Sequence, residues 1–256
     1  MSTQVNADIL VKDISMKYDS SDGAVTALDG INHQIKAGKF VVLVGPSGCG
    51  KSSLLMMMAG LRKASGGTIH CGTAEIDGPN PDLVGVVFQE ANLFPWLSSQ
   101  KNVEFPLMLK KVPQQEREER ALEALKLVGL EKFARKYPHE LSGGMRQRVS
   151  IARGLVQQPE VLLMDEPFAA LDEQTRLSMG DELLRIWERT KQTLVFVTHS
   201  LTEAVYLADE IVVMSARPGR ITDVVEVDLP RPRTPEMMST EAFGQLRERI
   251  WRQIRH

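Results

Sequence analysis

The chain has 256 residues, of which 43% are hydrophobic and 25% charged, which is enough apolar material for the core of one large domain or two lobes. Its formal net charge of −2 argues against a non-specific nucleic-acid binder, and its two cysteines, Cys49 and Cys71, form no disulfide framework, which fits a reducing compartment. No export signal opens the sequence and its longest apolar stretch, 54–59, is far too short to span a bilayer, so we expect a soluble cytoplasmic protein.

The N-terminal part of the chain is rich in β-forming residues. Apolar runs separated by turn-forming residues recur before residue 45, and a similar run follows near residue 70. These runs predict an antiparallel sheet that lies beside the core of the domain. The predicted strands are 9–11, 14–18, 25–35, 40–44 and 68–71.

A glycine-rich segment, GPSGCGKS at 45–52, follows the apolar run 40–44 and precedes an apolar stretch at 54–61 that predicts a helix. A strand followed by G-x-x-x-x-G-K-[ST] at a helix start is the P-loop pattern, in which glycines let the backbone approach phosphate oxygens and N–H groups point at the anion. Lys51 supplies a mobile positive charge for the β- and γ-phosphates, and Ser52 offers a hydroxyl to Mg²⁺. The predicted phosphate-binding residues are Gly45, Pro46, Ser47, Gly48, Cys49, Gly50, Lys51, Ser52 and Ser53.

The region from about 92 to 156 contains the most helical sequence. Residues 114–128 place apolar side chains on one face and charged side chains on the other, and this pattern stops at Gly129 as helices commonly do. Residues 145–156 also repeat apolar side chains at helical spacing. Together these segments predict a helical lobe inserted into an α/β core.

A second glycine-rich element, LSGGM at 141–145, precedes the last of these helices. Ser142 is the predicted N-cap, and Gly143 and Gly144 leave the N–H groups of the first turn uncovered, which makes a second anion-binding helix terminus. The segment 45–52 already binds the phosphates of one nucleotide. The simplest use of the spare site is therefore a nucleotide held by another copy of the chain.

Two adjacent carboxylates, Asp165 and Glu166, follow the apolar strand 161–164. Because strand residues alternate sides, we predict different roles for them. Asp165 would hold the Mg²⁺ shell through water, and Glu166 would face the γ-phosphate and polarise the attacking water as general base. The alternative is a buried strand followed by a solvated acidic turn, which the presence of a P-loop disfavours.

The remainder of the chain alternates strand-like and helical sequence. The apolar runs 161–164, 194–198 and 211–214 predict a parallel sheet covered on both faces. Residues 230–235 break regular structure and predict a linker. Apolar residues then recur at near-helical spacing across 243–254, which predicts a helix packed against the core rather than a regulatory element.

In combination these motifs resemble the ATP-binding subunit of an ABC transporter, with LSGGM where the family has LSGGQ, and the likeness covers about residues 8–228. By this resemblance Tyr18 stacks on adenine, Gln89 links the metal site to a membrane partner, and His199 contacts the γ-phosphate. AALD at 169–172 resembles the D-loop, with alanine first where serine is usual. The resemblance implies a catalytic set of Lys51, Gln89, Glu166 and His199, further nucleotide contacts from Ser142, Gly143, Gly144 and Asp172, and a metal set of Ser52, Gln89 and Asp165.

The fold implied by the resemblance is α/β, a P-loop NTPase core with parallel sheet, an antiparallel β subdomain and an inserted α-helical subdomain. We expect a single ABC ATPase domain over 1–256, with the helical subdomain at about 92–156 and a C-terminal extension at about 229–256. The implied cofactors are ATP and Mg²⁺. The implied partners are a second copy of the chain, transmembrane permease subunits and, indirectly, a periplasmic solute-binding protein, with no nucleic acid.

Segments 90–98, 141–149 and 215–221 resemble the nitrate/sulfonate/taurine importer group, which implies uptake of a small anion by a complex on the inner face of the cell membrane. The Leu-Phe-Pro-Trp group at 93–96 is costly to expose, so either the helical lobe buries it or a permease helix docks there; we expect a shared arrangement. One alternative function is a soluble ABC ATPase acting on nucleic acid or ribosomes, which usually has two cassettes or long inserts. Another is a catalytically dead module, which the intact catalytic set argues against.

Overall fold

The protein, described by a computed structural model over residues 7–20, 23–169 and 171–255, has helices packed on two β-sheets. The strands of these residues are, in chain order, β1 (Ile9–Ser20), β2 (Gly23–Ile35), β3 (Phe40–Val44), β4 (Gly66–Cys71), β5 (Ala74–Glu75), β6 (Val84–Val87), β7 (Val161–Asp165), β8 (Thr193–Val197), β9 (Glu210–Met214) and β10 (Ile221–Glu226). The α-helices are α1 (Lys51–Met58), α2 (Ser99–Leu109), α3 (Gln114–Leu127), α4 (Gly143–Leu155), α5 (Glu173–Thr190), α6 (Leu201–Leu207) and α7 (Glu241–Ile254). Short 3₁₀ helices lie at Glu131–Phe133, Pro138–Glu140 and Pro235–Ser239.

The larger sheet has the strand order β10-β9-β3-β8-β7-β6. All neighbours in it are parallel except β10, which runs antiparallel to β9. Every residue of β3 and β8 is buried, as expected for strands covered on both faces. The prediction of a parallel sheet is confirmed. Its carboxyl edge brings together the segments that follow β3, β7 and β8, where ligands bind in open α/β sheets.

The smaller sheet is antiparallel, with the order β2-β1-β4-β5. The predicted antiparallel sheet is therefore confirmed, but the assignment of 40–44 to it is wrong. This segment is β3, which lies between β8 and β9 because five consecutive buried residues fit a central parallel strand better than a half-exposed one. The predicted strands 9–11 and 14–18 form the single strand β1, whose register shifts between Val11 and Ile14.

The helices α2, α3 and α4 pack against one another, and α4 also contacts β6. The helices predicted at 114–128 and 145–156 correspond to α3 and α4. The helix predicted at 54–61 begins three residues earlier, as α1, because Gly50 serves as its N-cap. The exact borders of a helical subdomain and of a C-terminal extension stay predictions.

Of the linker predicted at 230–235, residues 230–234 form neither helix nor strand, whereas Pro235 begins a short 3₁₀ helix. The helix α7 lies further along the chain and places Phe243 and Ile250, which are almost fully buried, in the main hydrophobic core. The predicted packing of this helix against the core is confirmed. Across the residues that the structure describes, each helix is too short or too polar to cross a membrane.

Candidate functional site

The glycine-rich loop after β3 is fixed by close backbone packing. Gly50 has φ +100°, and a Cβ there would lie 2.5 Å from Cδ2 of Leu28 on β2. A Cβ on Gly45 would lie 2.6 Å from the carbonyl oxygen of Met214, at the end of β9. Gly50 requires glycine mainly because of its positive φ, and Gly45 because a Cβ would collide with the backbone of a neighbouring strand. The loop is thus held between the two sheets at the carboxyl edge of β3.

The first residues of α1 connect this loop to β7. The Lys51 side chain is buried, and its Nζ donates hydrogen bonds to the carbonyl oxygens of Gly45 and Pro46 at 2.8 and 3.0 Å. The neighbouring Ser52 hydroxyl donates to Oδ1 of Asp165 at 2.9 Å. The structure therefore places the Lys51 ammonium, the Ser52 hydroxyl and the Asp165 carboxylate, which are predicted to act together, at the same edge of the sheet.

The two carboxylates at the end of β7 have different partners, but strand alternation is not the reason. The strand ends at Asp165, and Glu166 has φ +44°, in the left-handed region. In this conformation the Glu166 N–H donates to the carbonyl oxygen of Val197 at 3.0 Å, and Oε2 lies 3.2 Å from Nδ1 of His199. A non-glycine residue in this region is strained, and such strain is concentrated at functional sites.

Burial raises the pKa of the Asp165 carboxyl. The Ser52 hydrogen bond and the Lys51 charge oppose this rise, whereas the Glu166 charge adds to it. A half-buried carboxylate beside a second carboxylate favours binding of a cation, because the cation offsets both the burial and the repulsion. The described residues contain no group of three His, Cys, Asp or Glu side chains that could hold a metal ion alone. The Ser52–Asp165 pair fits Mg²⁺, which takes few protein ligands and shares the phosphate oxygens of its substrate.

The predicted adenine-stacking residue, Tyr18, lies close to α1 with 39% of its surface exposed. Its hydroxyl is 3.3 Å from Oγ of Ser53 and accepts a hydrogen bond from Nη1 of Arg62 at 2.6 Å. The same Nη1 donates to Ser53 Oγ at 3.0 Å. The sequence does not predict Arg62, since nothing in its local pattern distinguishes it from a solvated arginine.

The LSGGM element begins α4, and Ser142 is its N-cap as predicted, accepting a hydrogen bond from the Met145 N–H at 3.3 Å. Ser142 and Gly143 are exposed. A Cβ on Gly144 would lie 3.0 Å from Cγ2 of Thr175, so the start of α4 packs on the start of α5. Among the described residues, no hydrogen bond joins 142–144 to the P-loop.

The D-loop-like segment precedes α5. Asp172 is exposed and caps α5 by accepting a hydrogen bond from the Thr175 N–H at 2.9 Å, and this bond lowers the pKa of the Asp172 carboxyl. Ala169 is half-buried, whereas Ala170 lies outside the described residues.

Gln89 follows β6 and is exposed, and its side chain makes no hydrogen bond within the described ranges. The backbone around it is held by two polar residues of α4. Gln147 Nε2 donates to the carbonyl oxygen of Phe88 at 3.1 Å, and Arg153 donates to those of Ala91 and Asn92 at 2.7 and 2.8 Å. Burial lowers the pKa of Arg153. Sequence reasoning missed both anchors, although a polar residue in an otherwise apolar helix face was a usable signal.

Residues 28–169 match the family model described as ABC transporter. The chain belongs to the ABC transporter family. An uncharacterized ABC transporter ATP-binding protein of Methanocaldococcus jannaschii is 49% identical over 230 residues, covering 90% of this chain and 86% of that protein. The aliphatic sulfonates import ATP-binding protein SsuB of Bacillus cereus is 42% identical over 248 residues, covering 97% of this chain and 96% of that protein.

Solved structures of ABC cassettes have the same fold. The dimeric post-hydrolysis state of the ATP-binding cassette MJ0796, bound to ADP and Pi, aligns with a TM-score of 0.77 and 33% identity, covering 87% of this chain and 100% of that one. As an ABC family member, the chain is an ATPase that uses ATP and Mg²⁺. Its P-loop NTPase core, antiparallel sheet and helical elements are those of an ABC cassette.

Proposed function

We propose that the chain is the ATP-hydrolysing subunit of a bacterial ABC importer for a small anionic solute of the aliphatic sulfonate, taurine or nitrate type. The observation that carries this proposal is the cluster at the carboxyl edge of the parallel sheet, where Lys51, Ser52, Asp165, Glu166 and His199 lie together. The name of the SsuB relative supports the solute class, since that protein serves aliphatic sulfonate import.

Hydrolysis follows from the roles these side chains can take. The P-loop N–H groups bind the phosphates, and the Lys51 ammonium exchanges its carbonyl partners for phosphate oxygens. Ser52 and Asp165 would hold Mg²⁺, which neutralises phosphate charge when bound. Glu166 accepts a proton from the attacking water, whose oxygen bonds to the γ-phosphorus as the bond to the bridging oxygen of ADP breaks. His199 orients Glu166 through the contact between Nδ1 and Oε2.

The exposed start of α4 supports a dimer in which two copies complete each other's sites. Ser142 and Gly143 present a helix N-terminus to solvent rather than to the P-loop of their own chain. Such a terminus binds phosphate oxygens through its free N–H groups. In the dimer each nucleotide lies between the P-loop of one copy and residues 142–144 of the other; the cassettes to which this chain is similar are likewise dimeric.

The segment after Gln89 supports attachment to a permease. Phe94 is half-buried against Phe105, with ring centroids 4.5 Å apart, while Trp96 packs on Phe94 and keeps 70% of its surface exposed. The helices cover Phe94 and leave Trp96 exposed, which supports the proposal that a partner covers Trp96. The permease would hold the chain at the cytoplasmic face of the membrane, and a periplasmic binding protein would deliver the solute.

Replacement of Glu166 by glutamine tests the catalytic assignment. We expect Glu166→Gln to slow phosphate release by about 10²–10⁴-fold, the usual contribution of a general base, while ATP binding persists and a closed dimer accumulates. Glu226→Gln, an exposed carboxylate of β10, is the matched control and should hydrolyse ATP like the wild type. Rapid turnover by Glu166→Gln would remove Glu166 as the base.

Reconstitution tests the importer assignment. The chain, its permease and the periplasmic binding protein in lipid vesicles should show ATP hydrolysis stimulated by taurine, an alkane sulfonate or nitrate. Absence of stimulation by all three, with stimulation by a cationic or neutral solute, would overturn the anion assignment and leave the ATPase assignment intact.

A further inference from the structure

The residues on both sides of His199 are held by one residue, Glu203 of α6, through its carboxylate and its backbone N–H. Its Oε2 accepts a hydrogen bond from the Thr198 hydroxyl at 2.5 Å, and the Thr198 oxygen accepts one from the Ser200 N–H at 3.0 Å. The Glu203 N–H in turn donates to the Ser200 hydroxyl at 3.3 Å. The backbone carrying His199 is therefore fixed before and after the imidazole by the first turn of α6.

The other oxygen of Glu203 faces Arg176 of α5. Arg176 Nε lies 3.3 Å from Oε1, an ion pair that lacks the alignment of a hydrogen bond. Nη2 of the same guanidinium donates to the carbonyl oxygen of Leu171 at 3.0 Å. Arg176 thus touches both Glu203 and the segment 169–172, which precedes α5 and resembles the D-loop.

This pair is shielded from solvent, with side-chain exposures of 12% for Glu203 and 29% for Arg176. Burial raises the pKa of the Glu203 carboxyl; the Thr198 hydrogen bond, Arg176 and His199 oppose this rise, and Glu166 adds to it. Separating the two charges of a partly buried ion pair leaves each without compensation, which costs free energy. The pair therefore favours the one arrangement in which the charges stay in contact. The hydrogen bonds of the two side chains run to Thr198 and Leu171, so the pair acts on the site through these neighbours.

We propose that Glu203 and Arg176 are positioning residues that join the His199 segment to Leu171, so that His199 is aligned with Glu166 only while these contacts are intact. This inference rests on the proposed function, since it depends on the roles given there to Glu166 and His199. The chain from Glu166 through His199, Thr198, Glu203 and Arg176 to Leu171 is continuous.

The test uses Glu203→Gln, which keeps an acceptor for Thr198 and removes the ion pair. We expect kcat for ATP hydrolysis to fall about tenfold while KM stays within about twofold, because an interaction used in the transition state is lost and nucleotide binding is not. Arg176→Gln should reproduce this loss, and the double variant should lose no more than the worse single variant, since the two residues act as one unit. Arg176→Lys keeps the positive charge but cannot contact Glu203 and the Leu171 carbonyl oxygen with two separate nitrogens. Its kcat should therefore lie between those of Arg176→Gln and the wild type.

The control pair is Asp223 and Arg249, an ion pair with a 2.9 Å contact between β10 and α7, whose Arg249→Gln variant should keep the wild-type kcat. Fluorescent-nucleotide binding and circular dichroism check that each variant is folded; if Glu203→Gln is not, the Arg176 variants decide. Unchanged kcat, a change in KM alone, or additive losses would overturn the inference. These outcomes differ from failure of the proposed function, in which the reconstituted wild type would hydrolyse ATP without stimulation by taurine, an alkane sulfonate or nitrate.

Discussion

At the scale of single residues, Gly50 shows how the P-loop depends on conformation. Its φ of +100° excludes a side chain, and so does the 2.5 Å that would separate an added Cβ from Leu28 Cδ2. We expect Gly50→Ala to lower the free energy of unfolding by about 1–3 kcal/mol and to weaken ATP binding, measured by thermal denaturation and fluorescent-nucleotide titration. Gly244→Ala in α7, where a Cβ meets nothing within 4 Å, should be neutral or slightly stabilising. Equal behaviour of the two variants would contradict the steric account.

The sequence alone could predict those site residues whose chemistry is local. Lys51 and Ser52 belong to a contiguous motif, and Asp165 and Glu166 end an apolar strand, so their residue types and spacing were sufficient. Arg62 could not be found in this way, because its role depends on Tyr18, which is 44 positions away. The left-handed backbone of Glu166 was equally hidden, since only the neighbouring strand requires it.

At the scale of elements, the start of α4 should serve the neighbouring copy rather than its own. We expect Ser142→Arg to abolish ATP hydrolysis while leaving nucleotide binding to the monomer nearly intact, because a bulky cation blocks the exposed helix N-terminus. The lost N-cap costs about 1 kcal/mol, so Thr240→Arg, which removes the N-cap of α7, is the control for stability. Phosphate release and monomer binding are the measurements, and loss of binding by Ser142→Arg alone would mean that this loop contacts the nucleotide of its own chain.

Helices whose apolar residues recur at a regular spacing can be predicted well from the sequence. The sheet to which a strand belongs is predicted less well. The helices α3 and α4 have an apolar face that the sequence displays directly. The sequence places β3 in the wrong sheet, because its pairing partners β8 and β9 lie more than 140 positions further along the chain. The sequence predicts two strands where the structure has β1 alone. The strand continues past the register shift after Val11 because Ile14 pairs with Ile31 of β2, a contact that no local pattern reveals.

At the scale of the whole molecule, attachment to the permease should depend on Trp96. We expect Trp96→Ala to weaken binding to the permease about tenfold and to reduce transport, with little effect on ATP hydrolysis by the isolated chain, because large aromatic side chains supply much of the energy of an interface. Trp251→Ala on α7, where 47% of the side chain is exposed, is the matched control. Binding is measured by titration of permease in detergent or nanodiscs, and an unchanged affinity would place the contact elsewhere.

The two carbonyl partners of the Lys51 ammonium have a consequence for selectivity among anions. These hydrogen bonds satisfy part of the ammonium's donor capacity and leave its positive charge in place, so an incoming anion must supply contacts that replace both bonds. The triphosphate of ATP offers oxygens on three phosphate groups for these contacts, whereas a single orthophosphate ion offers only four. We therefore expect ATP to compete for the Lys51 ammonium more effectively than inorganic phosphate does.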